Sequence, residues 1–268
     1  YVNCLIENPA FDSQTKEMLP TRKNAFGYSP TLSEKFLKKV EKSEIVQHIL
    51  SYAAFKQQKE LNRKGGSKRA KLTGIPKLDD ANFAGTGKSK DCTLILTEGD
   101  SAKALAVAGL AVVGRDYYGV FPLKGKPLNV RDASHKQIMG NEEMSSIVRI
   151  LGLKFQTEYT EENVKTLRYG HLMIMADQDH DGSHIKGLII NFIHFFWPSL
   201  LKVPGFLQQF ITPIVKVKSR GFEQSFFSMP AFNAWRNDNT ASSVDVKYYK
   251  GLGTSTPKEA KEYFSDLE

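Results

Sequence analysis

The sequence predicts an α/β protein with a parallel-sheet core, a helical linker before that core and a small β-rich extension after it. Two stretches carry this prediction, because in each a short apolar strand runs through an acidic turn into a helix. The first has its strand at 93–97 and its turn at 98–100; the second has its strand at 171–176 and its turn at 177–182. Strands that alternate with helices are typical of parallel sheets.

The segment ahead of the first strand is predicted to be helical and then irregular. Amphipathic helical patterns cover residues 33–40 and 45–55. The stretch from 56 to 90 carries ten Lys and Arg against three Asp and Glu, together with two glycine-rich clusters. We therefore expect this stretch to be an exposed basic linker between domains.

Other elements follow each strand-and-turn unit. We expect a strand at 117–123, helical regions at 134–151 and 183–201, and two further strands at 210–217 and 244–249. Thr256 and Glu259 have the spacing of a capping box, with Pro257 at the first helical position. A final helix through Phe264 is therefore expected.

Composition places the chain among ordinary globular proteins. Of its 268 residues 41% are hydrophobic and 25% are charged, which excludes wholesale disorder. Two cysteines are too few for a disulfide framework or a zinc site, and this favours a reduced, intracellular compartment. The formal net charge of +8 favours a polyanionic partner.

The sequence predicts neither a membrane span nor a secretory signal. A span needs about 18–20 apolar residues, and the longest candidate, 188–201, is interrupted by Asn, His, Pro and Ser. The first residues contain neither an initiating Met nor a basic start of the kind that signal peptides have. We expect the chain to be an internal part of a longer protein.

The acidic turns predict a metal site. Glu98 directly follows the first strand, Asp177 directly follows the second, and Asp179 lies two residues further on. If the two strands are neighbours, these carboxylates meet at the carboxyl edge of the sheet, where α/β proteins bind ligands. Carboxylate oxygens without a His or Cys set favour Mg²⁺. The alternative is that these acids only cap helices.

Two other motifs are weaker than they first look. The run from Asp177 to Gly182 resembles the start of an EF-hand loop, but the twelfth position is Leu188 where a bidentate Glu is required. The run 85–89 resembles the end of a phosphate-binding loop, but position 82 is Asn where that motif needs Gly. We interpret the second run as a basic surface loop.

Two basic loops predict contacts with a phosphate backbone. The loops at 122–131 and 248–255 each place Lys beside Gly, so a backbone approaches closely while the amine neutralises its charge. The aromatic cluster at 192–197 is predicted to belong to the core.

Four motifs in sequence order resemble those of eukaryotic type IIA DNA topoisomerases. They are Glu-Gly-Asp-Ser-Ala at 98–102, Pro-Leu-Lys-Gly-Lys at 122–126, Asp-Gln-Asp-His-Asp-Gly-Ser-His-Ile-Lys-Gly at 177–187 and Tyr-Lys-Gly-Leu-Gly at 249–253. The first and third are similar to the signature of the TOPRIM domain, a Rossmann-like fold.

The N-terminal part resembles the end of that family's ATPase transducer domain, on the residues at 6–9 and 12–17. The resemblance implies that Gln14 and Lys16 contact ATP, most of whose site belongs to a preceding ATPase domain. It also implies four regions. They are the end of a transducer domain (1–50), a basic linker (51–90), a TOPRIM metal-binding domain (91–206) and a β-rich extension leading to a winged-helix domain (207–268).

The resemblance also implies roles for the predicted site. Glu98, Asp177 and Asp179 would be catalytic Mg²⁺ ligands, and Asp181 a second-metal or water-mediated ligand. The residues that would border or contact DNA are Gly99, Asp100, Lys124, Lys126, Asn129 and Lys250. Lys124 stands where the family usually has Arg, so it retains the charge but not the bidentate geometry.

The implied function is that of an ATP-dependent type II DNA topoisomerase, a nuclear homodimer that passes one duplex of DNA through a transient double-strand break. In that family the nucleophilic tyrosine follows an arginine in a winged-helix domain, which would lie beyond Glu268. Arg168-Tyr169 has the same dipeptide, but it lies just before the metal-site strand and not in a winged helix. The chain alone is then expected to be inactive. Two alternatives are a Mg²⁺-dependent TOPRIM nuclease or primase and a non-catalytic DNA-binding module.

Overall fold

The computed structural model describes residues 5–11, 16, 18–27, 31–68, 72, 74–219, 221–238 and 244–267. The chain forms two compact units, Tyr1–Lys56 and Gln57–Glu268.

The first unit contains the predicted amphipathic helix α1 (Glu34–Glu41). The side chain of Ser33 caps it by accepting a hydrogen bond of 3.2 Å from the amide of Phe36. A second helix, α2 (Glu44–Lys64), begins in this unit and continues past its limit. The expected region limit at residue 50 therefore lies inside a continuous helix.

Four parallel strands form the centre of the second unit: β1 (Thr93–Thr97), β2 (Tyr118–Pro122), β3 (His171–Met175) and β4 (Leu207–Gln209). Their order in the sheet is β2–β1–β3–β4. The register places Thr97, the last residue of β1, level with Pro122 on one side and Met175 on the other. The predicted parallel α/β architecture is confirmed.

Helices cover both faces of this sheet: α3 (Asp100–Val113), α4 (His135–Gly140), α5 (Glu142–Leu151) and α6 (His180–Phe196). Because successive residues of a strand point to opposite faces, Leu94 and Leu96 pack in one core with α5 and α6, whereas Ile95 packs in a second core with α3. No helix within the described ranges is long and apolar enough to cross a membrane.

The second half of the expected linker is packed against the sheet. Ile75 and Ala81 are buried, and Asp79 forms a two-way backbone bridge with Val120, the edge strand's central residue, at 2.9 and 2.8 Å. The ring hydroxyl of Tyr169 accepts a hydrogen bond of 2.8 Å from the amide of Ala81. The expectation of an exposed segment up to residue 90 is therefore wrong. The apolar side chains of Ile75 and Ala81, which lie between charged residues in the sequence, are buried against the sheet.

The extension contains three antiparallel strands, β5 (Val215–Ser219), β6 (Phe222–Phe226) and β7 (Asp245–Tyr248), and two helices, α7 (Met229–Asp238) and α8 (Pro257–Ser265). The strand order is β6–β5–β7. The predicted capping box of α8 is confirmed, since Thr256 accepts from the amide of Glu259 at 3.3 Å and its own amide donates to the Glu259 carboxylate at 2.7 Å.

The extension differs from its prediction in three ways. The strand expected at 210–217 starts only at Val215, and β4 ends before it, at Gln209. The expected TOPRIM region ends at residue 206, just before β4. Because β4 pairs with β3, that limit would separate the fourth strand from its parallel sheet. Strand β6 and helix α7 carry no predicted pattern.

Candidate functional site

Glu98 and Asp177 meet at the carboxyl edge of the sheet. They follow the adjacent strands β1 and β3, as the sequence predicts. The amide of Asp177 donates a hydrogen bond of 3.1 Å to Oε2 of Glu98, and the amide of Glu98 donates one of 3.2 Å to the carbonyl of Met175. The two acidic turns are therefore joined directly.

Asp179 and Asp181 belong to the start of α6. Asp179 is its N-cap, and its Oδ1 accepts a hydrogen bond of 2.8 Å from the amide of Gly182. A Cβ at Gly182 would lie 2.0 Å from the carbonyl oxygen of Asp177, so glycine lets the helix begin this close to the strand end. The Asp181 carboxylate lies 2.8 Å from the ammonium group of Lys126.

The electrostatics of this edge suit a cation. Burial raises the pKa of Glu98, and the nearby charges of Asp177, Asp179 and Asp181 raise it further, while the hydrogen bond from the Asp177 amide lowers it. The hydrogen bond and the charge of Lys126 lower the pKa of Asp181. An oxygen-only donor set of mutually repelling carboxylates, of which Glu98 and Asp177 are partly buried, fits a hard divalent ion such as Mg²⁺.

The four predicted metal ligands are not all turned to one point. Across the described part of the chain, no group of three or more His, Cys, Asp or Glu side chains is arranged to hold a metal ion. Asp179 faces a backbone amide and Asp181 faces Lys126. The structure thus joins Glu98 with Asp177 and leaves the other two engaged at the adjacent helix start.

Three of the predicted DNA-contacting residues lie directly beside these acids, since Gly99 and Asp100 follow Glu98 and Lys126 pairs with Asp181. Gly99 and Asp100 start α3, and Asp100 pairs with the ammonium group of Lys77 at 2.5 Å. The side chain of Lys124 is exposed, while its amide donates to the Glu143 carboxylate at 2.6 Å. Lys250 is also exposed.

Three side-chain contacts of the predicted DNA-binding segments were not predicted. Arg131 donates to the side chain of Asn191 at 2.6 Å, and Asn191 donates to that of Asn129 at 2.9 Å, so the basic loop is tied to α6. Lys77 reaches Asp100 across 23 residues of sequence. No local spacing could have revealed these three contacts, because all of them depend on the fold.

Of the two residues expected at an ATP site, Gln14 lies outside the described residues. Lys16 belongs to the first unit, where its ammonium nitrogen lies 5.7 Å from the ring centroid of Phe11.

Tyr169 has a structural role. Its side chain is fully buried, its hydroxyl donates to the carboxylate of Asp80, and the guanidinium of Arg168 contacts the same carboxylate. Burial and the charge of Asp80 raise the pKa of Tyr169. A phenol in these surroundings is a poor nucleophile, in agreement with the sequence-based rejection of this residue.

Replacing Tyr169 by Phe is expected to lower stability by about 1–3 kcal/mol, because the partly exposed Asp80 carboxylate and the amide of Ala81 each lose a partner. The measurement is hydrogen exchange of the amides around Ala81. Exchange rates equal to those of the wild type would contradict a structural role of the Tyr169 hydroxyl.

Three family models match the chain. They are described as DNA gyrase B, Toprim domain and C-terminal associated domain of TOPRIM, and they match residues 1–68, 93–208 and 210–268. The Toprim match ends inside β4, which agrees with that strand's place in the parallel sheet.

Relatives with similar sequences cover the whole chain. DNA topoisomerase 2 of Pisum sativum is 63% identical over 270 residues, and DNA topoisomerase 2-beta of Homo sapiens is 60% identical over 271 residues. The chain is thus similar over its whole length to part of the eukaryotic type II DNA topoisomerases. It spans 18% and 17% of the length of these two topoisomerases.

A solved topoisomerase structure has the same fold. The chain matches the crystal structure of the Plasmodium falciparum topoisomerase II DNA-binding, cleavage and re-ligation domain with a TM-score of 0.71 and 60% sequence identity. The match covers 74% of this chain and 27% of that one.

Proposed function

We propose that the chain provides the metal-binding half of the DNA cleavage and religation site of an ATP-dependent type II DNA topoisomerase. The observation that carries this proposal is the direct contact between Glu98 and Asp177 at the ends of adjacent parallel strands. Their setting in a chain whose relatives are named DNA topoisomerase 2 supports it. The names of those relatives favour it over a nuclease, a primase or a non-catalytic module.

The carboxylates would bind and orient the metal. Glu98, Asp177 and Asp179 would hold Mg²⁺, with Asp181 as an outer or second-metal ligand. When bound, the ion stabilises charge on the scissile phosphate and on the leaving sugar oxygen. The hydrogen bond from the Gly182 amide to Asp179 caps α6 and fixes its start beside the proposed metal site.

Double-stranded DNA would bind across the same edge. The exposed amines of Lys124, Lys126 and Lys250 would neutralise phosphates, while Gly99, Asp100 and Asn129 border the cleaved strand. Since Tyr169 is buried, the nucleophilic tyrosine would come from another part of the whole enzyme. That enzyme would be a nuclear homodimer, with Gln14 and Lys16 at its ATP site.

DNA binding by the full-length protein is expected to weaken steeply with salt, because phosphate contacts release counterions. Replacing Lys124, Lys126 and Lys250 by Gln together should reduce the log–log slope by about 2–3, at ~0.9 for each lost contact. The measurement is the dissociation constant for a short duplex between low and physiological salt.

Lys90→Gln is the control, because Lys90 is exposed just before the start of β1, away from the carboxyl edge. This variant should keep the slope of the unmodified protein. A triple variant whose slope equals that of Lys90→Gln would contradict the proposed DNA surface.

A further inference from the structure

The turn at 250–254 lies directly against the carboxylate of Asp177. The amide of Leu252 donates a hydrogen bond of 2.8 Å to Oδ1. A Cβ at Gly251 would lie 2.2 Å from Oδ2 and 2.7 Å from the carboxyl carbon. The φ angle of Gly251 is −178°, which any residue adopts. Glycine is therefore needed here for space and not for its backbone conformation.

This turn is itself firmly held. The hydroxyl of Thr254 donates to the carbonyl of Gly251 at 2.6 Å, and the amide of Ser255 donates to the carbonyl of Leu252 at 3.1 Å. The side chain of Leu252 is 2% exposed and packs in the core shared by α3 and α8. The position of the turn is thus fixed by the core of the domain.

A second contact joins the extension to the same acidic turn. The side chain of Gln178 donates a hydrogen bond of 2.6 Å to the carbonyl of Thr212. On its other side, the amide of Asp177 donates to Glu98. The acidic turn after β3 is therefore held between β1 and the extension.

We propose that Gly251 and the amide of Leu252 are positioning elements that hold the Asp177 carboxylate in its metal-binding orientation. This inference rests on the proposed function of Asp177 as a ligand. A carboxylate already held in one orientation loses less conformational freedom when the ion binds, so the ion binds more tightly. The extension thereby acts on the metal site without contributing a ligand.

The test compares Gly251→Ala with Gly253→Ala in the full-length enzyme. A Cβ at Gly253 meets nothing within 4 Å, so that variant is the matched control. We expect Gly251→Ala to weaken Mn²⁺ binding about tenfold or more, measured by electron paramagnetic resonance without DNA or ATP, because the new methyl group displaces the carboxylate. The half-saturating Mg²⁺ concentration for DNA cleavage should rise in parallel, and high Mg²⁺ should restore cleavage. Gly253→Ala should bind Mn²⁺ like the wild type.

Thr254→Val is the second variant, since it loosens the turn without adding a clash, and it decides the matter where Gly251→Ala does not fold. It should weaken Mn²⁺ binding in the same direction by a smaller factor. If Asp177→Asn weakens Mn²⁺ binding while the folded turn variants match the wild type, the inference is overturned and the proposed function stands. If Asp177→Asn itself binds Mn²⁺ normally, the proposed function fails, and the inference with it.

Discussion

Replacing Asp179 by Asn is expected to lower DNA cleavage by the full-length enzyme by about 10²–10³-fold, because loss of one ligand charge removes ~3–4 kcal/mol of charge stabilisation at the transition state. Asn caps helices as well as Asp does, so the hydrogen bond from the amide of Gly182 should persist. The substitution thus separates the charge of the side chain from its capping role. The measurement is the cleaved fraction of a duplex at a fixed Mg²⁺ concentration.

Asp91→Asn is the matched control for this experiment, because Asp91 is exposed just before β1, away from the carboxyl edge of the sheet. It should cleave like the wild type. Binding of DNA by Asp179→Asn should survive, since the lysines contribute it separately. Equal cleavage by the two variants would show that Asp179 is only a helix cap.

Replacing Phe264 by Ala is expected to destabilise the second unit by about 3–5 kcal/mol, the usual cost of deleting a buried aromatic ring. Phe264 is 1% exposed, and its ring lies 5.0 Å from that of Phe210. A Cβ at Gly109 would lie 2.1 Å from the same ring, so α3 and α8 are in close contact. Native-state hydrogen exchange of the amides in α3 and α8 measures the effect.

Phe227→Ala controls for the loss of a phenyl ring, because Phe227 is 54% exposed. Its exchange rates should stay close to those of the wild type. Since α8 follows the turn that holds Asp177, Phe264→Ala should also raise the Mg²⁺ requirement for cleavage. Unchanged protection in Phe264→Ala would contradict the packing of α8 against α3.

The central strands and the acidic turns could be predicted from the sequence because their signals are local. A buried strand such as 93–97 is a continuous apolar run, and the acid after it belongs to the same short segment. The sequence predicted that Glu98 and Asp177 meet on the condition that their strands are neighbours, and the pairing of β1 with β3 meets that condition. The capping box of α8 was predictable for the same reason, since it depends on four consecutive residues.

The remaining features depend on contacts between distant parts of the chain. Residues 74–90 were predicted to be part of an exposed linker, because the stretch 56–90 is rich in Lys, Arg and Gly. The bridge between Asp79 and Val120 nevertheless attaches them to the sheet. Strand β4 has only three residues, too few for a periodic pattern. The pair between Lys126 and Asp181 joins a predicted DNA contact to a predicted metal ligand, and no spacing in the sequence reveals it.

The dependence of DNA cleavage on Mg²⁺ concentration tests the central claim most directly. The comparison is between the wild-type enzyme, Glu98→Gln and Asp179→Asn, each at limiting and at saturating Mg²⁺. If these carboxylates bind the ion, both variants should need Mg²⁺ concentrations at least about tenfold higher for half-maximal cleavage, equivalent to ~1.4 kcal/mol of lost binding free energy. Normal cleavage by both variants at limiting Mg²⁺ would show that Glu98 only joins the two acidic turns and that Asp179 only caps α6.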